Sequence, residues 1–278
     1  MSVRIVTDST CDLPPSVAAE HGITVVPLTI SFGHESFRDG VDISATEFYH
    51  KLESAGQLPR TSQPSPESFA TAYREVASPD GVVSIHISGK LSGTINSARN
   101  GAAMLEGGTT IEFVDSRMVA FGLGAIVLEA ARVAEAGGDL QAVAGAARDA
   151  IPRTRVLAVV DTLEYLRRGG RIGRASSLLG SVLDIKPMLA VEDGEVVPAG
   201  RVRSRAKAIE KLVEAATSVN ASAVYVASAA NPQRASALIE RLRPRMPEAT
   251  FMQGDLGPTV GAYTGPNALG LATLERAR

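Results

Sequence analysis

Val82-Val83-Ser84-Ile85-His86-Ile87 runs into Ser88-Gly89-Lys90-Leu91-Ser92-Gly93-Thr94, and residues 95–105 continue with helical spacing. The first run is apolar and rich in β-branched residues, as a buried strand is. The second is small and polar and turns the chain. Strand, tight turn and helix in this order form the unit of an open α/β sheet. Ligands of such sheets sit beyond the carboxyl ends of the strands. Backbone N–H groups and the helix dipole at that end favour an anion. The turn holds no histidine, cysteine or acid. It therefore reads as a cradle for an oxyanion rather than as a source of an attacking group.

The pattern extends in both directions. Residues 3–7 form a short β-branched run stopped by Asp8-Ser9-Thr10-Cys11-Asp12-Leu13-Pro14-Pro15, and a Pro-started helix follows over 15–21. Residues 23–32 read as a second β run and 48–56 as a short helix. Residues 65–76 place Phe69, Ala72, Tyr73 and Val76 at helical spacing. Beyond the turn come a strand over 111–115 and an Ala-rich helix over 118–137, closed by Gly137-Gly138. A further helix over 140–151 is stopped by Pro152. Strands alternating with helices predict a mostly parallel sheet.

The character changes after Pro152. A strand over 156–161 precedes a short helix over 163–168, and Asp193-Gly194 between two β runs signals a hairpin. Helices over 206–219 and 232–243 alternate with strands over 223–227 and 250–253, and 257–270 is Gly-rich. The expectation is an α/β fold with two domains: a parallel-sheet domain over 1–151 and an α+β domain over 152–278.

Composition narrows the function classes. The 278 residues are 45% hydrophobic and 21% charged, with 28 basic and 30 acidic side chains and a net charge of −2. Bulk nucleic-acid binding needs a basic footprint that this chain lacks. A single cysteine, Cys11, precludes an internal disulfide and suits a reducing compartment. No apolar run reaches the length of a membrane span, and the start lacks a signal-peptide apolar region. The expectation is a cytoplasmic protein with no stable membrane insertion.

Several residues carry chemistry. Thr61-Ser62-Gln63-Pro64-Ser65-Pro66 presents three hydroxyls and an amide before a helix. Ser65 with Pro66 reads as an N-cap and N1 pair, whereas Thr61 and Ser62 lie upstream of the cap and are open to a ligand. Ser92 reads as a hydrogen-bond donor. The rival reading makes it the nucleophile of a hydrolase or acyltransferase, but the G-x-S-x-G elbow is absent and no base is evident among His21, His34, His50 and His86. His86 sits inside the buried strand and reads as a core histidine. Gly89-Lys90 fails the phosphate-loop pattern, because Ser84 holds the first glycine position and Leu91 follows the lysine. An ATP site there is rejected. No CxxC, HExxH or His/Asp cluster supports a metal. Acids beside Cys11 argue against a reactive thiol. Arg171, Arg174 and Arg203 fall in loops or at helix starts, where the dipole does not favour them, and are candidates for an anion or an acidic surface.

Together these stretches resemble one family. Val6-Thr7-Asp8-Ser9-Thr10-Cys11-Asp12-Leu13, Phe37-Arg38-Asp39-Gly40-Val41-Asp42-Ile43, the stretch 61–66 and the turn 88–94 are similar to motifs of the DegV family, as are 163–171, 185–189 and 257–270. They occur in the family's order along nearly the whole chain. The family includes the fatty acid-binding subunit of bacterial fatty acid kinase, which holds one fatty acid in a tunnel between two domains and presents its carboxylate to a separate kinase subunit. The resemblance implies a non-catalytic carrier with a bound fatty acid and no further cofactor. It implies a carboxylate site at Thr61, Ser62, Ser92, Gly93, Thr94 and Tyr263, and kinase docking through Arg171 and Arg203. Two positions depart from the family pattern: Tyr263 stands where a histidine is common, and Asn267 where a glycine is common. Aromatic residues are 4% of the chain and tryptophan is absent, so aliphatic side chains must line such a tunnel. Ile30, Phe69 and Ile95 are candidates.

Overall fold

A computed structural model describes residues 2–179 and 185–277. Its strands are β1 (Arg4–Asp8), β2 (Ile23–Val26), β3 (Thr29–Phe32), β4 (Glu35–Arg38), β5 (Arg60–Ser62), β6 (Val82–His86) and β7 (Ile111–Asp115), followed by β8 (Thr154–Val159), β9 (Lys186–Glu192), β10 (Glu195–Val202), β11 (Ala221–Ser228), β12 (Thr250–Asp255) and β13 (Leu269–Glu275). They form three sheets.

The first sheet has the order β2-β1-β6-β7 and is parallel throughout. Its strands read as continuous apolar runs because helices cover both faces. Ile5, Val83, Ile85 and Val114 pack under the helices Phe121–Glu135 and Leu140–Ala150. Val6 and Val82, on the opposite face, pack with Phe69, Tyr73 and Ala98 of the helices Pro66–Glu75 and Thr94–Ala103. Ser65 caps the first of these two helices by accepting from Ser68 N at 3.2 Å, with Pro66 at the first helical position, as the spacing predicts.

The second sheet, β4-β3-β5, is small and antiparallel. It corrects the single β run expected over 23–32. Pro27 separates β2 from β3, because a residue without an N–H cannot continue the ladder, and the two strands join different sheets. Thr61 and Ser62, ahead of the cap, belong to β5, with Thr61 opposite Ile30.

The third sheet runs β10-β9-β8-β13-β11-β12 and is antiparallel except between β11 and β12. β13 lies inside this sheet, although its sequence continues a Gly-rich stretch. Gly270 is needed there: a Cβ would stand 3.1 Å from Ala158 Cβ on the neighbouring strand. The same stretch also yields the helix Pro258–Thr264.

Every strand of the first two sheets precedes residue 116, and every strand of the third follows residue 153. Between them, Ile151–Arg153 forms a single 3-10 turn. The helix Phe121–Glu135 touches both large sheets, packing on β1 and β6 as well as on β8, β11 and β13. One apolar cluster therefore runs from Ile5 and Leu123 through to Leu189, Tyr225 and Leu274. This helix starts at Phe121, not at 118. Ala120 has φ +55°, outside the helical region, and ends the loop before it.

Candidate functional site

The turn after β6 is anchored from beneath. Asp8, at the end of β1, is fully buried and acts as a hub. One carboxylate oxygen accepts from Ile87 N at 3.0 Å and pairs with His86 Nδ1 at 2.9 Å. The other accepts from the Thr10 hydroxyl at 2.5 Å. His86 Nε2 meets Ser84 Oγ at 2.7 Å, and Ser84 Oγ meets the Tyr73 hydroxyl at 2.7 Å. This sequence of groups has the order of a hydrolytic triad. Ser84, His86 and Asp8 are all without solvent exposure, so no substrate reaches them, and their geometry braces the ends of β1 and β6.

The turn itself is less open than its composition suggests. Ser88 is buried, and its hydroxyl donates to Gly194 O at 2.8 Å, across to the β9–β10 hairpin. Gly89 N donates to the Asp115 carboxylate, Lys90 N to Ser88 Oγ, and Leu91 N and Ser92 N both to Ser88 O. Four amides of the expected cradle are thus already engaged. The remaining donors lie at its far end. The helix Thr94–Ala103 starts at Gly93, which supplies no side-chain cap; Asn96 N donates to Gly93 O at 3.0 Å, which leaves the Thr94 and Ile95 amides for an external acceptor. Ser92 Oγ pairs with Thr94 Oγ1 at 2.8 Å. The Gln63 amide lies against Gly93, and Gln63 donates to Ser97 Oγ at 2.7 Å.

Across from this turn, Thr61 Oγ1 and the Tyr263 hydroxyl lie 2.5 Å apart. Tyr263 comes from the helix Pro258–Thr264, and its ring lies under the Arg171 guanidinium at 5.4 Å. Arg171 donates to Leu91 O and Gly169 O and forms no carboxylate pair among the described residues. Arg174, by contrast, faces Glu192 and Glu195. Thr61, Ser62, Gln63, Ser92, Arg171 and Tyr263 line one cavity of about 370 Å³, together with Leu28, Ile87, Leu91 and other apolar residues.

A second cavity of about 80 Å³ lies deeper, over the third sheet. It is lined by Phe121, Gly122, Ala158, Ala190, Gly270 and Ala272, among other apolar residues. Val119, Leu166, Val196, Val260 and Thr264 border both cavities, so a chamber with hydroxyl-bearing residues and Arg171 set in a largely apolar wall adjoins a wholly apolar one.

Thr61, Ser62, Ser92 and Tyr263 are therefore brought together at one chamber. Gly93 borders an adjoining surface recess with Lys90 and Arg171, and Thr94 is buried behind Ser92. The tunnel candidates fare differently: Ile30, Phe69 and Ile95 are buried but line neither cavity. Phe69 packs edge-on against His86, on the other side of the first sheet from the chambers. Arg203 is exposed just before the helix Arg205–Thr217 and lines neither cavity. Sequence reasoning missed Gln63, Val260 and Thr264 as lining residues. Pro258 as a helix start would have signalled the latter two, because Val260 and Thr264, like Thr259 and Tyr263, then share one helical face.

Asn267 adopts φ +67°, a left-handed conformation that asparagine tolerates better than most residues, and its side chain accepts from Arg234 at 2.8 Å. Cys11 is buried. That burial, together with the nearby Asp8, Asp12 and Asp39, holds its thiol far above the usual range, which outweighs a hydrogen bond from the Leu13 backbone. Among the described residues no acid, cysteine or histidine group is arranged to hold a metal, and no helix is long and apolar enough to cross a membrane. No histidine pairs with Ser92 among them, so the nucleophile reading has no base.

Comparison with known proteins agrees with this architecture. The family model described as "Uncharacterised protein, DegV family" matches residues 2–276. A DegV domain-containing protein of Streptomyces coelicolor is 42% identical over 280 residues, covering 99% of each chain. A DegV family protein from Thermus thermophilus, solved as a fatty acid-binding structure, superposes with a TM-score of 0.91 at 36% identity, over 99% of this chain and 100% of that one. DegV from Bacillus subtilis, described as a fatty acid binding protein, gives 0.88 at 30% identity, over 99% and 100%. On sequence, fold and the continuous match along its length, this chain belongs to the DegV family.

Proposed function

We propose that this protein is a cytoplasmic carrier that holds one long-chain fatty acid and presents its carboxylate to a separate kinase subunit, which forms an acyl phosphate with ATP. The observation that carries the reading is a largely apolar chamber with a polar group of Thr61, Ser62, Gln63, Ser92, Arg171 and Tyr263, sharing a wall with a wholly apolar one. An amphiphile with one charged end and a long apolar tail matches that sequence of environments. The solved relatives described as fatty acid-binding support the ligand class.

In this reading the carboxylate sits among Thr61, Ser62, Ser92 and Tyr263, with the amides after Gly93 and Thr94 contributing from the helix start. A buried carboxylate needs such donors, because leaving it unsatisfied costs several kcal/mol. Tyrosine at position 263 supplies one hydrogen bond and no charge near neutral pH. The nearest positive charge is then Arg171, stacked on the same ring. Each buried methylene contributes about 0.8 kcal/mol, so the tail supplies most of the affinity and the hydroxyls supply orientation. The tail compartment belongs to the junction of two domains, 1–151 and 152–278. Arg171 and Arg203 form the docking surface for the kinase. The carrier needs no other cofactor.

Mass spectrometry of the denatured protein tests the reading directly. A stoichiometric long-chain fatty acid is expected. Ligand-free protein that also fails to bind added palmitate or oleate would refute it.

A further inference from the structure

Two stretches set apart in the sequence, 6–13 and 37–43, contribute little to the wall of either chamber. Their acids instead meet a third. Asp12 Oδ1 accepts from Gly257 N at 3.1 Å, and Asp39 Oδ2 accepts from Thr259 N at 3.3 Å and from Ser9 Oγ at 2.9 Å. These amides begin the helix that carries Val260, Tyr263 and Thr264 to the chambers. The two carboxylates converge on one point. A Cβ at Gly257 would lie 2.7 Å from Asp12 Oδ1 and 3.7 Å from Asp39 Oδ1. Both side chains are buried, and Asp12 Oδ2 has no hydrogen-bond partner among the described residues.

No positive charge compensates them. The other titratable groups facing the pair are Asp8, already tied to His86 and Thr10; Asp255; the Cys11 thiol; and Tyr49, whose hydroxyl donates to Leu256 O. Among the described residues, neither Asp12 nor Asp39 pairs with a lysine, arginine or histidine. Both aspartates also border a cleft of about 790 Å³ that opens to solvent and gives protons access. Burial and mutual repulsion, with no cation paired to either group among the described residues, disfavour ionisation of both carboxylates at once.

We propose that Asp12 and Asp39 form a proton-operated clasp across the junction of 1–151 and 152–278: closed while at least one of them is protonated, and loosened when both ionise, so that the helix carrying Tyr263 swings away from the chambers. The effect on ligand release rests on the fatty acid reading; the clasp itself does not. Burial, then the neighbouring Asp39, raises the Asp12 carboxyl well above its usual range. Burial likewise pushes Asp39 up to about 6, against the hydrogen bonds from Thr259 and Ser9 that lower it. A carboxyl whose pKa is higher in the closed state favours closure fully below its open-state value, near 3.9, and loses that contribution as pH rises through the closed-state value. For Asp39 the window is therefore about pH 4 to 6, and for Asp12 it lies higher. The rise of Asp39 from its open-state value to about 6 corresponds to roughly a hundredfold change in the opening equilibrium.

Hydrogen exchange at the Gly257 and Thr259 amides of the ligand-free protein, corrected for intrinsic rates between pH 5 and 8, reads the clasp. Protection is expected to fall at least tenfold with rising pH in the wild type. Asp39→Asn should flatten the lower part of the profile and Asp12→Asn the upper part. In parallel, the dissociation rate of cis-parinaric acid should rise with pH in the wild type and less so in each variant. Protection that does not vary with pH in the wild type overturns the clasp, and that measurement needs no variant to fold. Both Asn variants keeping the wild-type profile overturns it equally. pH-dependent protection without parinarate binding supports the clasp and refutes the fatty acid reading. Flat protection with tight parinarate binding does the reverse.

Discussion

The apolar chamber makes a quantitative prediction about tail length. Ala227 lies on β11 directly opposite Gly270 of β13, and both line that chamber. Ala227→Leu projects three further carbons into a space of about 80 Å³. If a fatty acid tail occupies that space, roughly three of its methylenes lose their place. At about 0.8 kcal/mol each, the loss is about 2.4 kcal/mol, or roughly 60-fold in Kd. The effect should depend on chain length: palmitate and longer acids lose the full factor, while decanoate, with a shorter tail, loses little. The added side chain enters a void, so the cost to the free protein stays within the 1–3 kcal/mol typical of overpacking, a Tm change of a few degrees. Fluorescence displacement across a series of saturated acids, with a thermal melt of the free protein, measures both. Equal weakening of short and long acids, or none at all, would refute the assignment of the tail to this chamber.

Two further outcomes follow from particular contacts. Ser92→Ala removes a hydroxyl from a residue lining the chamber shared with Thr61 and Tyr263 while leaving the buried Asp8 hub intact. Carboxylate binding should weaken about tenfold, the value of a charge-assisted hydrogen bond, with an unchanged circular dichroism spectrum; unaltered affinity for palmitate takes Ser92 out of the site. Gly101→Ala sets helix propensity against packing. Alanine gains about 1 kcal/mol in a helix interior, but here its Cβ would stand 2.5 Å from Pro66 O and 2.7 Å from Phe69 Cβ, in the contact between two helices. Backbone cannot yield as a flexible side chain does, so packing wins, and net destabilisation of about 1–3 kcal/mol is expected in urea unfolding. A stabilised variant would show that the two helices pack less closely than described.

Local pattern made much of this molecule readable. The strands β1, β6 and β7 with the helices that follow them, the cap at Ser65-Pro66 and the Asp193-Gly194 hairpin each depend on neighbours a few residues away, and each is found as the spacing predicts. The errors fall where distant chain segments decide. Pro27 divides an apparently continuous run because β2 and β3 serve different sheets. β13 escaped notice because Gly270 disrupts its pattern, and the reason for that glycine is Ala158 on another strand. The tunnel candidates Ile30, Phe69 and Ile95 are apolar and buried, but apolar character does not tell a packed core from the wall of a cavity.

The same division runs through the site. The sequence by itself determined the residue types: a turn of small hydroxyl-bearing residues between strand and helix, a Thr-Ser pair ahead of a cap, and the family to which the chain belongs. Tertiary structure alone decided which of those groups remain available. Ser88 is engaged by Gly194 and four turn amides are already bonded, whereas Ser92, Thr61 and Tyr263 face a chamber. Thr61 and Tyr263 lie 202 positions apart in the chain and 2.5 Å apart in space. Periodicity and turn chemistry act over a few residues, so they specify elements. Convergence over that separation is set by how the sheets and the helix Phe121–Glu135 pack, and no local pattern records it.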